Sequence, residues 1–102
     1  GLPIRCTGTR ITTMSSMQSA AFARRVLDHN AKLDDGVRQC VIDAINAGEA
    51  ELAAVTVVEM APVTVDDLDE LERLAIDFDH VDRPIAEEVI AKRRKELAAT
   101  AT

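Results

Sequence analysis

The chain has 102 residues, of which 47% are hydrophobic and 29% charged, and its formal net charge is −6 at pH 7. This length suits one domain, and the apolar fraction is too high for a disordered protein. Trp and Tyr are absent and Phe occurs twice, which argues against nucleic-acid or sugar sites that stack their ligands on aromatic rings. No stretch reaches the roughly 18 apolar residues of a membrane span, and no signal peptide is recognisable at the N-terminus.

The two ends of the chain are expected to lie outside the folded part. Met14 or Met17 could be the initiator, so we expect residues 1–13 to be disordered or foreign to the native chain. Residues 14–99 are predicted to form a single helical domain, and residues 100–102 to fray.

The two cysteines do not form a disulfide framework. Cys40 falls on the apolar side of a predicted helix, so it is expected to be buried as a small hydrophobe. A bond between Cys6 and Cys40 would require Cα atoms within about 7 Å. The cytoplasm is therefore the expected compartment.

Two helices are predicted before residue 49. The first spans residues 15–31, and Ser15 and Gln18 have the spacing of a capping box at its start. The second is capped by Asp34 or Asp35 and ends at Gly48, a residue suited to the left-handed position after a helix. Its apolar positions recur every three or four residues: Val37, Cys40, Val41, Ala44 and Ile45.

Residues 49–61 are ambiguous. Acids open the segment as in a helical first turn, but four consecutive β-branched residues, 55–58, favour a strand. We favour a helix that ends before Pro62. The alternative is a strand near residues 54–60, paired across a dimer because a lone strand is marginal in water.

Two more helices follow Pro62. Thr64 and Asp67 have capping-box spacing, and the predicted buried side of this fourth helix is formed by Leu68, Leu71, Leu74, Ala75 and Phe78. A fifth helix is predicted over residues 82–99, capped by Asp82, with Ile85, Val89 and Ile90 facing inward. The predicted fold is therefore all-α, a compact bundle of four to five short helices, with an α+β dimer as the alternative.

Charge is sorted along the chain into three blocks. Residues 1–27 hold four arginines and no acid, residues 28–91 hold seventeen acids and four bases, and residues 92–102 open with four bases. The densest acid, eight carboxylates with one arginine, lies in Asp66–Asp82. Such partition influences which charged partners a protein attracts.

No catalytic, cofactor or metal site can be assigned from the sequence. Read as a calcium loop from Asp77, the segment Asp77–Asp82 places Asp82 where the turn needs Gly, so we interpret it as an acidic helix end followed by a cap. A zinc site would have to combine residues without the usual local spacing, namely Cys6, His29, Cys40 and His80. Ser15, Ser16 and Ser19 lack any recognisable partner for nucleophilic catalysis.

The function best supported at this level is a small, acidic, non-enzymatic interaction module. It would bind a protein partner with a basic surface through Asp66, Asp69, Glu70, Asp77 and Asp79. A core with only Phe22 and Phe78 as aromatic residues also predicts self-association, so a homo-oligomer is expected.

Two other functions are also consistent with the sequence. The first is a DNA-linked transcriptional regulator that contacts phosphate through its basic ends: Arg24, Arg25, Lys92, Arg93, Arg94 and Lys95. Residues 34–60 fit a helix-turn-helix poorly, since acids stand where a recognition helix needs Arg, Gln or Asn. The second is a small enzyme or a divalent-metal module at Asp77–Asp82.

Overall fold

The computed structural model describes residues 14–101, which form five α-helices and contain no strand. The helices are α1 (Met14–His29), α2 (Asp35–Asn46), α3 (Ala50–Met60), α4 (Val65–Ala75) and α5 (Asp82–Ala101). The all-α prediction is confirmed, and the strand predicted as an alternative at residues 54–60 is wrong. The expectations for residues 1–13, including the Cys6–Cys40 bond and any zinc site that uses Cys6, lie outside the described residues.

Helix α3 is the centre of the bundle, because it contacts all four other helices. Its buried side chains form a wide apolar face: Ala50, Ala53, Ala54, Val55, Val57 and Val58. A wide apolar face is typical of a helix that packs against several neighbours. The β-branched run therefore forms a helix because the packing of Val55, Val57 and Val58 outweighs their intrinsic preference for a strand.

Most helix ends follow local signals that the sequence predicted. Asp34 caps α2 by accepting hydrogen bonds from the N–H groups of Gly36 and Val37. Gly48 closes α2 with φ of 82°, and the Gly48 and Glu49 N–H groups donate to Ile45 and Ala44 as in a Schellman motif. Thr64 and Asp67 form the predicted reciprocal capping box of α4.

Three predicted boundaries differ from the structure. Helix α1 already includes Met14, so Ser15 lies within its first turn and is not its N-cap. The side chain of Asp79, not Asp82, accepts hydrogen bonds at the start of α5, from the N–H groups of Val81 and Asp82. Helix α5 continues to Ala101, with Thr100 Oγ1 donating to the Glu96 carbonyl at 2.9 Å, so residue 100, which was expected to fray, is part of the helix.

Two apolar residues lie on a different side from the one predicted. Cys40 is exposed, because α2 packs on the bundle mainly through Val41, which is fully buried. Ile85 is also exposed, and Ala86 takes the buried position that was expected for it. In both cases the helical period leaves two adjacent positions available, and the neighbouring helices decide which is covered.

The direction of the helices brings distant segments to one end of the bundle. Helices α1 and α3 run parallel, since Ser16 Oγ donates to Glu51 Oε2 at 2.9 Å near the start of both. Helix α5 starts at this same end, and its Arg93 reaches the Ala61 carbonyl at the far end of α3. We call the end where α1, α3 and α5 start and α4 finishes the lower end of the bundle.

Candidate protein-interaction site

The acids in the middle of α4 are neutralised by bases from both neighbouring helices. Glu70 forms an ion pair with Arg25 of α1, whose guanidinium also lies 5.5 Å from the centre of the Phe22 ring. On the other side of α4, Arg94 of α5 lies 2.9 Å from Asp69 and 3.0 Å from Glu72. Arg25 from the first charge block and Arg94 from the last thus form ion pairs with acids of the central block, residues 28–91.

Arginine side chains also satisfy the carbonyl groups at two helix ends. Arg93 donates to the Ala61 carbonyl at 3.0 Å, just past the last turn of α3. Arg38 donates to the carbonyls of Leu27 and Asn30 at 3.3 and 2.7 Å, at the end of α1. These cations complement the negative end of each helix dipole, so they stabilise the fold itself.

The predicted site residues therefore separate into engaged and exposed groups. Asp69 and Glu70 form ion pairs and Asp79 caps α5, whereas Asp66 and Asp77 are exposed. Among the predicted phosphate contacts, three are engaged within the fold: Arg25, Arg93 and Arg94. The other three, Arg24, Lys92 and Lys95, are exposed.

A cleft of about 340 Å³ lies at the lower end of the bundle. Five carboxylates line it: Glu49, Glu51, Asp77, Asp79 and Asp82. The other lining residues are Ser16, Leu52 and Phe78, so within the described part of the chain no base lines this cleft. We refer to it as the acidic cleft.

One acid of the cleft has a shifted pKa. The backbone N–H groups of Asp82 and Val81, which donate to its carboxylate at 2.7 and 2.9 Å, hold the pKa of Asp79 below its ordinary value. The cause is hydrogen bonding to the charged form, and nearby His80 contributes in the same direction. Asp79 therefore remains a carboxylate at neutral pH.

Glu49 and Glu51 are site residues that sequence reasoning did not assign. They are visible in the sequence only as acids at the start of α3, where the helix dipole is sufficient to explain them. Their proximity to the Asp77–Asp82 segment follows from the parallel packing of α3 and α5, which no local pattern reports. Glu49 makes no side-chain capping hydrogen bond, so its carboxylate is not used at the helix end.

Within residues 14–101, no group of three or more His, Cys, Asp or Glu side chains has an arrangement that could hold a metal ion. Ser19 is fully buried, so its hydroxyl is not accessible to a substrate. In the same part of the chain, no helix is both long and apolar enough to cross a membrane.

A second concavity, of about 520 Å³, lies between α4 and α5. Its apolar lining consists of Ala75, Ile76, Ile90 and Ala91. Charged residues flank this lining as two ion pairs, Glu72 with Arg94 and Arg83 with Glu87. Because acid and base alternate there, this groove shows no preference for either sign of charge.

No protein family, curated protein or solved structure shows significant similarity to this chain.

Proposed function

We propose that this protein is a small, non-enzymatic helical module that binds a protein partner through a basic surface of that partner. The observation that carries the proposal is the acidic cleft, in which five carboxylates and, among residues 14–101, no base form the charged lining. Opposite charge on a partner would be attracted to this surface and oriented by it.

The contrast with α4 supports this choice of surface. Asp69 and Glu70 already have bases from α5 and α1 beside them, so a partner would have to compete with existing ion pairs. A basic partner would add positive charge to the acidic cleft, whose lining residues within 14–101 include no base. The proposed binding residues are therefore Glu49, Glu51, Asp77, Asp79 and Asp82.

A charge-neutralising variant pair tests this function. Glu49→Gln with Asp77→Asn removes two charges from the cleft without touching the Asp79 cap or the Ser16–Glu51 hydrogen bond. The matched control is Asp28→Asn with Glu59→Gln, which makes the same charge change at exposed positions near the ends of α1 and α3. Binding of a Lys- and Arg-rich peptide is measured by fluorescence anisotropy at low and high salt.

We expect the cleft variant to weaken peptide binding several-fold, the control variant to bind like the parent, and high salt to reduce binding by the parent. Binding that is equally insensitive to salt and to the cleft variant would contradict the proposal, as would no binding by the parent at low salt.

Self-association is the second part of the proposal. Apart from Phe22 and Phe78, the buried core consists of aliphatic side chains, many of them Ala and Val. Apolar contact with a second copy of the chain would add to the stability of such a core. Sedimentation equilibrium tests this, with a dimer or larger oligomer expected; a monomer at all concentrations would contradict it. The cytoplasm remains the expected compartment because the two cysteines form no predicted framework.

The two alternative functions suggested by the sequence each have a test of their own. A DNA-linked regulator would need Arg25 and Arg94 to leave their ion pairs before meeting phosphate, and a salt series on duplex binding tests it. A divalent-metal module or enzyme at Asp77–Asp82 would be stabilised by its metal, so a thermal shift on adding calcium, magnesium or zinc tests that hypothesis.

A further inference from the structure

Six of the eight large hydrophobic side chains that are exposed in the described chain belong to the lower end of the bundle. They are between 43% and 69% exposed: Met14, Met17, Leu52, Ile76, Val81 and Ile85. The other two, Met60 and Val65, lie at the opposite end, where α3 finishes and α4 starts.

Of these six residues, Leu52 lines the acidic cleft. Met17 and Val81 are the immediate neighbours in the chain of lining residues Ser16 and Asp82. Ile76, next to Asp77 in the chain, lines the groove between α4 and α5. Met14 and Ile85 lie within one helical turn of Ser16 and Asp82. Exposed apolar side chains concentrated in one region indicate an interaction surface, whereas single scattered ones do not.

We propose that the lower end of the bundle binds a basic amphipathic helix of a partner protein. This inference rests on the proposed function and specifies the partner's chemistry: apolar side chains along one face of the helix, flanked by Lys and Arg. The apolar residues would contact Met17, Leu52 and their neighbours, and the bases would meet the carboxylates of the cleft.

A helix is favoured over an extended partner segment by the architecture. A strand binds by adding to the edge of a sheet, and residues 14–101 contain no strand to offer such an edge. A helix satisfies its own backbone hydrogen bonds and requires only side-chain contacts, which a helical bundle can provide. The exposed methionines add adaptability, because an unbranched thioether chain fits irregular apolar surfaces.

The test compares two peptides of identical composition and about 18 residues, or five helical turns. In one, Leu and Ala occupy one helical face and Lys and Arg flank it; in the other the same residues are scrambled so that no face forms. Each peptide is titrated into the full chain and its helicity on binding is followed by circular dichroism. We expect the amphipathic peptide to become helical and to bind about tenfold more tightly, the ratio given by one well-buried anchor side chain.

Apolar variants separate this inference from the proposed function. Met17→Gln with Leu52→Gln removes apolar area beside the cleft and keeps good helix formers at both positions. Met60→Gln with Val65→Gln is the matched control at the opposite end. We expect the first pair to abolish the preference for the amphipathic peptide, and the control pair to retain it.

Each other outcome overturns the inference in a recognisable way. If both peptides bind equally and the binding of both depends on Glu49 and Asp77, the partner is recognised by charge alone. The proposed function would then hold and this inference would not. If neither binds and sedimentation shows a dimer that the Met17 and Leu52 changes dissociate, a second copy occupies the surface. If the amphipathic peptide binds only to the variant that carries Arg5→Gln with Arg10→Gln, the chain's own N-terminal segment is the ligand of this surface.

Discussion

Arg94 and Asp69 lie twenty-five residues apart in the chain, and their side chains meet at 2.9 Å between Nη2 and Oδ1. With the ion pair between Arg25 and Glu70 on the opposite side, this contact holds α4 between α5 and α1. The acids of α4 would otherwise repel one another along the helix. The high density of acids in α4 is therefore partly explained by these ion pairs, which join α4 to its two neighbouring helices.

Replacing Arg94 by Met is expected to lower the free energy of unfolding by about 1 kcal/mol or less, because partly exposed ion pairs contribute little in water. The loss should shrink at high salt, which screens the pairs in the parent protein. Urea denaturation at low and high salt measures it. Arg83→Met, which removes only the exposed pair with Glu87, is the control and should cost less; an equal cost at both sites would contradict a role for Arg94 between helices.

Replacing Thr64 by Ala should destabilise the protein by about 1 kcal/mol, the usual cost of losing an N-cap side chain. The hydroxyl accepts the Asp67 N–H at 3.1 Å, and Ala leaves that donor without its partner. Thr64→Ser keeps the oxygen and should stay close to the parent in the same urea titration. A Ser variant as unstable as the Ala variant would show that the methyl group, not the cap, is responsible.

Leu71→Ala and Ile85→Ala distinguish a core position from a surface position. Leu71 is fully buried and Ile85 is 44% exposed, so the first change should cost about 2–5 kcal/mol and the second under about 1 kcal/mol. Chemical denaturation of the two variants measures the difference. Similar losses would mean that Ile85 is covered in solution, for example by a second copy of the chain.

Ser19→Ala is expected to leave stability unchanged or to raise it by up to about 1 kcal/mol. The Ser19 hydroxyl is fully buried, and its oxygen has no hydrogen-bond partner among the described residues. Removing a buried polar group without a partner removes its desolvation cost, and Ala is the better helix former. Thermal unfolding compares the two proteins, and a clear loss of stability would show that the hydroxyl is hydrogen-bonded in solution.

The lowered pKa of Asp79 predicts how part of the protein's stability changes in acid. Because its pKa is lowered in the folded state, its stabilising contribution is complete above the pKa of the unfolded chain and is lost as pH falls through the lowered value, below about pH 4. Asn at this position can still cap a helix but does not titrate. The difference in melting temperature between parent and Asp79→Asn should therefore favour the parent at neutral pH and shrink in acid; a constant difference would contradict the linkage.

The local features of the fold were predictable because their physics acts over a few residues. The Asp34 cap, the Gly48 turn and the Thr64–Asp67 capping box each involve groups two to five positions apart. The errors concern some helix boundaries, such as the caps expected at Ser15 and Asp82, and which side of a helix is covered. For Cys40 and Ile85 the period of the helix leaves adjacent positions nearly equivalent, and only the neighbouring helices distinguish them.

The candidate site was predicted in part. Asp77 and Asp79 do lie in the acidic cleft, whereas Asp69 and Glu70 are paired within the fold, and Glu49 and Glu51 were not assigned. Charge counted along the chain cannot separate these cases, since it contains no distances between helices.

The sequence by itself determined where the helices lie and how most of them start and end, because caps, turns and apolar periods are interactions between near neighbours in the chain. The tertiary structure alone decided which carboxylates have a base beside them and which meet at the lower end of the bundle. The contacts responsible join residues such as Ser16 and Glu51, thirty-five positions apart, and Coulomb attraction depends on the distance in space that packing sets.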